Sequence, residues 1–234
     1  MNFYYHPNPE ENNTLSQEES AHLIKVFRAK SGDEIAIMDG LGKSYLAKIM
    51  DPNPRKCTFE IIETKTADPK NYGVHIAIAP TKNIDRLEWF VEKSCEMGVN
   101  EISLIQTQRS ERKKVKLDRL EKKAISAMKQ SKNLWKCKIN ELIKIDHFIE
   151  NHKNIENKFV AYVETGSEDL LQKKIKPNSN ALILIGPEGD FTPAEVDHLK
   201  SSNFELVSLG DHVLRTETAG IAAVHTINLV NQGL

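Results

Sequence analysis

Apolar positions follow two regimes along the chain. Up to about residue 70 they come in short alternating stretches: DEIAIMDG at 33–40, KSYLAKIM at 43–50 and CTFEIIET at 57–64. Alternation of period two, broken between the first two stretches by Gly40 to Gly42, predicts a small antiparallel β-rich domain. Ser16 followed three residues later by Glu19 predicts the start of a short helix carrying Ala21, His22, Ile24 and Lys25, because a Ser hydroxyl can accept from the third helical amide. The polar run from Lys65 to Tyr72 contains Pro69, and the domain boundary is placed there, giving domains 1–70 and 71–234.

Beyond the boundary, continuous apolar runs alternate with helical periodicity. VHIAIAP at 74–80 reads as a buried strand, followed by a helix with Leu87, Phe90, Val91, Ser94 and Cys95 near one face, Asp85 as its cap and Gly98 at its end. EISLIQT, FVAYV, ALILI and FELVSL supply further strands. Strands of this kind, apolar throughout and separated by helices, predict a mostly parallel sheet covered on both faces. After ALILI, Thr192, Pro193 and Glu195 form a helix-start signature: a cap, a proline at the first position and a capping-box glutamate.

Charge changes the picture more than bulk composition does. The net charge is −1, yet residues 108–138 hold twelve Lys or Arg against three Asp or Glu. A local excess of +9 either faces a polyanion or is a solvated helix face. The three cysteines and eight histidines lack metal-ligand spacing, so no metal is expected. MNFYYHPNPE shows no signal-peptide pattern and no apolar run reaches membrane-spanning length, which leads to the expectation of a cytoplasmic protein. Neither GxGxxG nor a P-loop is present.

The richest chemistry lies in two strand–turn–helix segments, ALILIGPEGDFTPAEVDHL at 181–199 and LVSLGDHVLRTETAGIAAVHTI at 206–227. In open α/β sheets ligands bind at the carboxyl ends of strands. A ligand between these turns would meet Gly186, Pro187, Glu188 and Gly189 on one side and Leu209, Gly210, Leu214 and Thr216 on the other. Glycines admit close backbone approach and leucines make an apolar wall, traits that suit an adenine-bearing molecule or a tightly packed turn. Arg215 and Glu217 either face different partners or form an ion pair with each other. The apolar side of TAGIAAVHTINLV is either an intrachain core helix or a subunit contact.

ILIGPEGDFTPAEV and LGDHVLRTETAGIAA, supported by HLIKVFRAKSGDEIAIMDG at 22–40 and VEKSCEMGVNEISLIQTQRS at 91–110, resemble the bacterial 16S ribosomal RNA (uracil-N3) methyltransferase family, of the SPOUT class. The resemblance spans nearly the full length. It implies an α/β, trefoil-knotted methyltransferase domain preceded by a small PUA-like β-barrel that binds RNA. It further implies S-adenosyl-L-methionine as donor, a uridine N3 in small-subunit RNA as acceptor, and a homodimer. Connection rules alone would have predicted an unknotted domain. Carried onto this chain, the donor site is Leu184, Gly186, Glu188, Gly189, Leu209, Gly210, Leu214 and Thr216. Glu217 and Arg215 are the catalytic candidates, Glu217 as acid–base or positioning group. The RNA contacts are Arg28, Arg109, Arg112, Lys113, Lys114, Lys129, Gln130, Ser131 and Lys132. Two departures stand out: Asp190 replaces a glycine common in the family, and MKQSKNLW carries Lys132–Asn133 where members often have Gly-Arg. A non-catalytic ribosome assembly factor, or a methyltransferase acting on another RNA position, are the alternatives.

Overall fold

The computed structural model describes residues 2–232. The chain forms two compact units, one of Met1–Pro69 with Ile125–Lys136, the other of Lys70–Ala124 with Cys137–Leu234.

The first unit is built on a four-stranded sheet, β1 (Phe3–Tyr5), β2 (Glu34–Met38), β3 (Lys43–Asp51) and β4 (Thr58–Thr66), in that order. β2–β3 and β3–β4 are antiparallel, as the alternation predicts, whereas β1 joins β2 in parallel. The chain leaving β1 returns along the far side of β4: Leu15 N–H donates to Cys57 O (2.9 Å) and Phe59 N–H to Asn13 O (3.0 Å). The His6 ring contacts Thr14 O at 3.0 Å, linking the end of β1 to this return and drawing the sheet toward closure. Tyr4, Ile37, Tyr45, Ala47, Ile49 and Phe59 fill the interior. Helix α1 (Gln17–Ala21) starts at Ser16, whose hydroxyl accepts from Glu19 N at 3.2 Å. Glu19 does not complete the box; its carboxylate takes Lys129 Nζ at 2.6 Å. A π-helical turn, His22–Val26, follows directly.

The second unit is an all-parallel six-stranded sheet. β5 (Val74–Ile78), β6 (Glu101–Gln106), β7 (Lys138–Lys144), β8 (Lys158–Ala161), β9 (Ala181–Ile185) and β10 (Glu205–Val207) lie in the order β10-β8-β9-β5-β6-β7. β7 has no counterpart in the sequence reading, since KINELIK mixes charge with apolar residues as an edge strand does. Helices α2 (Ile84–Glu96), α3 (Leu117–Ser131), α4 (Ile145–Asn151), α5 (Leu171–Lys174), α6 (Pro193–Ser201) and α7 (Thr216–Asn231) complete the chain, α3 ending in the first unit. Asn83, not Asp85, caps α2: its side chain accepts from Asp85 N at 3.0 Å. α6 forms the predicted capping box in full, with Thr192 Oγ1 accepting from Glu195 N (3.3 Å) and Glu195 Oε2 accepting from Thr192 N (2.8 Å). α7 buries Ala219, Ala223, Val224 and Ile227 within its own chain. Among the described residues no helix is long and apolar enough to cross a membrane, and no His, Cys, Asp and Glu cluster could hold a metal ion.

Candidate active site

Two strands of the second unit, β8 and β10, stop short of their apolar runs, and the segments that leave them and β9 wall one cavity. β8 ends at Ala161, so Tyr162 and Val163 of FVAYV leave the sheet; β10 ends at Val207, so Ser208 and Leu209 do likewise. With residues 185–190 after β9, these carboxyl-terminal loops enclose about 530 Å³. The size falls within the range of about 300–1,000 Å³ that holds cofactor-sized ligands. Ile185, Val207, Leu209 and Leu214 supply apolar wall, while Gly186, Gly210 and their neighbours offer backbone.

Of the donor-site residues expected from sequence, Gly186, Glu188, Leu209, Gly210, Leu214 and Thr216 line this cavity, as does Arg215. Two do not. Leu184 is wholly buried in β9 and belongs to the sheet core. Gly189 turns toward Arg109, whose Cδ would lie 3.4 Å from an added Cβ. The wall contributed by residues 161–165 was not foreseen, although the rule that sites gather at carboxyl ends of parallel strands points to it.

Steric demands explain the glycines. A Cβ on Gly186 would meet Asp190 Oδ1 at 3.0 Å and the Phe191 ring at 3.1 Å. Gly210 has φ +128°, a conformation other residues rarely adopt. Asp190, next in the same turn, takes φ +58° itself. The left-handed region is tolerable for Asp, and its carboxylate accepts from Phe191 N (2.8 Å) and Val163 N (3.2 Å). The side chain therefore ties the loop after β9 to the loop after β8. Burial nonetheless pushes its pKa up, against the opposing pull of those two amides and of Arg109.

Segment 107–112, read from sequence as RNA-facing, is fastened over the same loops. Arg109 Nη1 donates to Gly189 O (2.6 Å) and Phe191 O (3.4 Å). Gln108 N–H donates to Glu195 Oε1 (2.8 Å), the capping-box carboxylate of α6. Arg112 donates to Thr81 O (3.0 Å) and Lys82 O (2.6 Å), and Lys82 N–H donates to Glu188 Oε1 (2.9 Å). Glu188 thus braces the loop after β5 against the loop after β9. Glu217 is buried in the first turn of α7, does not line the cavity, and pairs with Arg86 Nε at 3.7 Å.

The remaining predicted RNA contacts divide by exposure. Arg28, Lys113, Lys114, Gln130 and Lys132 are exposed. Lys129 is engaged with Glu19 in the first unit, and Ser131 Oγ donates to Ala127 O (2.8 Å) inside its helix. Arg28 and Lys132 both have left-handed backbones, with φ of 55° and 57°.

Comparison with known proteins identifies this framework. The RNA methyltransferase domain model matches residues 68–228, and the RNA methyltransferase PUA domain model matches residues 15–62. The chain belongs to the RNA methyltransferase family. It is similar to the ribosomal RNA small subunit methyltransferase E of Mesomycoplasma hyopneumoniae, 32% identical over 85% of this chain and 86% of that protein. Among solved structures, it resembles the probable rRNA-methyltransferase of Porphyromonas gingivalis at 35% identity and TM-score 0.93, covering 100% of this chain and 99% of the other. It also resembles ribosomal RNA small subunit methyltransferase E of Neisseria gonorrhoeae, solved bound to S-adenosyl methionine, at 26% identity and TM-score 0.83 over 98% and 97% of the two chains. The match to the PUA model fits the small sheet-based first unit, and the match to the methyltransferase model spans the parallel sheet and all three cavity loops. In this family member the sequence motifs mark two walls of the cavity. The third wall and the arginine strap come from segments whose composition is unremarkable or reads as generic basic surface.

Proposed function

We propose that this chain transfers the methyl group of S-adenosyl-L-methionine to N3 of a uridine in 16S small-subunit ribosomal RNA. The observation that carries the reading is the cavity at the carboxyl ends of β8, β9 and β10, walled by GPEGD and LGDHVLRT, in a chain of the RNA methyltransferase family. Its volume and mixed lining fit a nucleoside joined to an amino-acid tail. Bound there, the donor supplies an electrophilic methyl carbon on a sulfonium sulfur.

The chain's own contribution is placement and field. Gly186, Glu188, Gly189, Leu209, Gly210, Leu214 and Thr216, with Leu184 behind them, form or support the donor site, and Asp190, Arg109 and Arg112 hold its loops in place. Alignment of the attacking nitrogen is the main catalytic device. Uridine N3 must give up its proton, to bulk water at the mouth of the site, so a cation beside it favours the reactive anion. Arg215, exposed at the head of α7 and lining the cavity, is assigned that role. Glu217 is assigned to positioning, since it is buried and turned to Arg86.

We assign RNA binding to the PUA-like domain, residues 1–70, and transfer to the SPOUT domain, residues 71–234, with a knotted carboxyl-terminal region. Arg28, Lys113, Lys114, Gln130 and Lys132 are the RNA contacts best supported by exposure. The active form is a homodimer working in the cytoplasm on 16S ribosomal RNA of the small ribosomal subunit. Labelled donor, incubated with deproteinised RNA and with small subunits lacking the modification, tests the proposal by nucleoside analysis. A single 3-methyluridine is expected. Another methylated nucleoside overturns the acceptor, and no transfer to either substrate overturns the activity.

A further inference from the structure

The first unit carries an exposed aromatic side chain that its own core does not use. Val26 and Phe27 are 63% and 49% exposed, at the end of the π-helical turn and immediately before Arg28. Phe27 is nevertheless held. Its ring meets the His22 imidazole edge-on at 5.1 Å between centroids, and His22 lies 6.2 Å from the buried Tyr4 ring. A row of rings thus runs from core to surface. Behind it the backbone closes, with Phe27 N–H donating to His22 O and Ala29 N–H to Leu23 O, both at 3.4 Å. π-Helical turns are rare and occur often at functional sites.

Arg28 adds an independent observation. Five non-glycine residues among those described have positive φ: Arg28, Lys132, Asn178, Asp190 and Asn203. Asn and Asp tolerate that region through local hydrogen bonding, but Arg and Lys have no such reason. Arg28 carries its charge on a backbone conformation that costs an L side chain energy. Ala21 to Gly32 contains Lys25, Arg28 and Lys30 and no acidic residue. The next carboxylate, Asp33, is turned onto the Lys30 amide at 2.8 Å. A firmly held ring among unopposed cations matches an unpaired base and its phosphate, because stacking on an aromatic face needs an unstacked base and cations engage the backbone. An acidic peptide would use the cations and leave the ring idle.

We propose that Phe27 is a stacking platform for an unpaired base of the RNA substrate, with Arg28 beside it on the adjoining phosphate. The inference rests on the RNA methyltransferase reading, and Phe27 acts as a positioning residue. The test measures binding of deproteinised small-subunit RNA and of a single-stranded oligouridylate without donor, so it decides the role of Phe27 whether or not methyl is transferred. Phe27→Ala and Phe27→Leu should each weaken binding about tenfold or more, with donor affinity unchanged, while Phe27→Tyr retains it. The leucine variant keeps apolar packing and removes only the ring. In Phe27→Trp, added oligouridylate should quench the new indole emission, and an RNA duplex should not. Arg28→Gly should raise Tm while weakening RNA binding, opposite signs that a purely structural role does not produce. Binding within twofold of wild type in Phe27→Leu overturns the proposal. Equal quenching by duplex, or loss of binding in the tyrosine variant as large as in alanine, overturns it as well.

Discussion

Arg109 offers the sharpest test of how the cavity is held together. A basic residue before a lysine-rich helix invites the expectation that its loss weakens RNA binding and spares the donor. The structure argues the reverse. Arg109 Nη1 reaches Gly189 O at 2.6 Å and Phe191 O at 3.4 Å, bridging two carbonyls of the loop after β9. Hydrogen bonds from a charged donor contribute about 1.5–3 kcal/mol in favourable settings. Arg109 is exposed, and solvent screening reduces this to about 1–2 kcal/mol. If the donor binds only the ordered loop, Arg109→Ala weakens its affinity by about 5- to 30-fold. Arg109→Lys, able to keep one contact but not the planar bridge, falls between. Calorimetric titration with S-adenosyl-L-methionine reads the effect directly, and filter binding reads RNA affinity in parallel. Donor affinity within twofold of wild type, with RNA binding and its salt slope reduced, would refute the tether and return Arg109 to the RNA surface.

Three further outcomes follow from the same physics. Burial, assisted by His152 and Lys138 and opposed by Glu101, lowers the pKa of His75 from 6.5 to about 4. Between those values the unfolded chain binds the extra proton, so this stability is complete above pH 6.5 and is lost as pH falls toward 4. Urea midpoints at about pH 7.5 and about pH 5 should differ less in His75→Gln than in wild type, and an identical pH slope counts against the burial argument. Lys132→Gly relieves a left-handed backbone at the end of α3 and should raise stability by about 1 kcal/mol while weakening RNA binding; a lower Tm contradicts this. Glu217→Gln leaves Arg86 without its charged partner, and Arg86 is 41% exposed, so the stability loss should be about 1 kcal/mol. Its single-turnover rate should fall more than its donor affinity, and an unchanged rate removes Glu217 from positioning.

Local pattern was sufficient wherever one element answers to its own neighbours. Alternation set the β2–β3 hairpin, continuous apolar runs set β5, β6 and β9, and Thr192-Pro193-Glu195 set the start of α6. The motifs GPEGD and LGDHVLRT marked the two turns that face each other across the cavity. Tertiary structure decided what depends on residues far apart in the chain. β1 pairs in parallel with β2, a strand reached only after the chain has passed along β4 and through α1. FVAYV stops as a strand at Ala161, and its last residues wall the cavity. Periodicity cannot distinguish a strand that continues from one that leaves its sheet. Above all, sequence gives an arginine its charge but not its partner. Arg109 and Arg112 hold carbonyls of loops reached only in the folded chain, Lys129 is neutralised by Glu19, and Arg28 and Lys132 stand exposed on left-handed backbones. Those five cations look alike in composition. Only the fold sorts them, because the energy of a charge is set by what lies within a few ångströms of it.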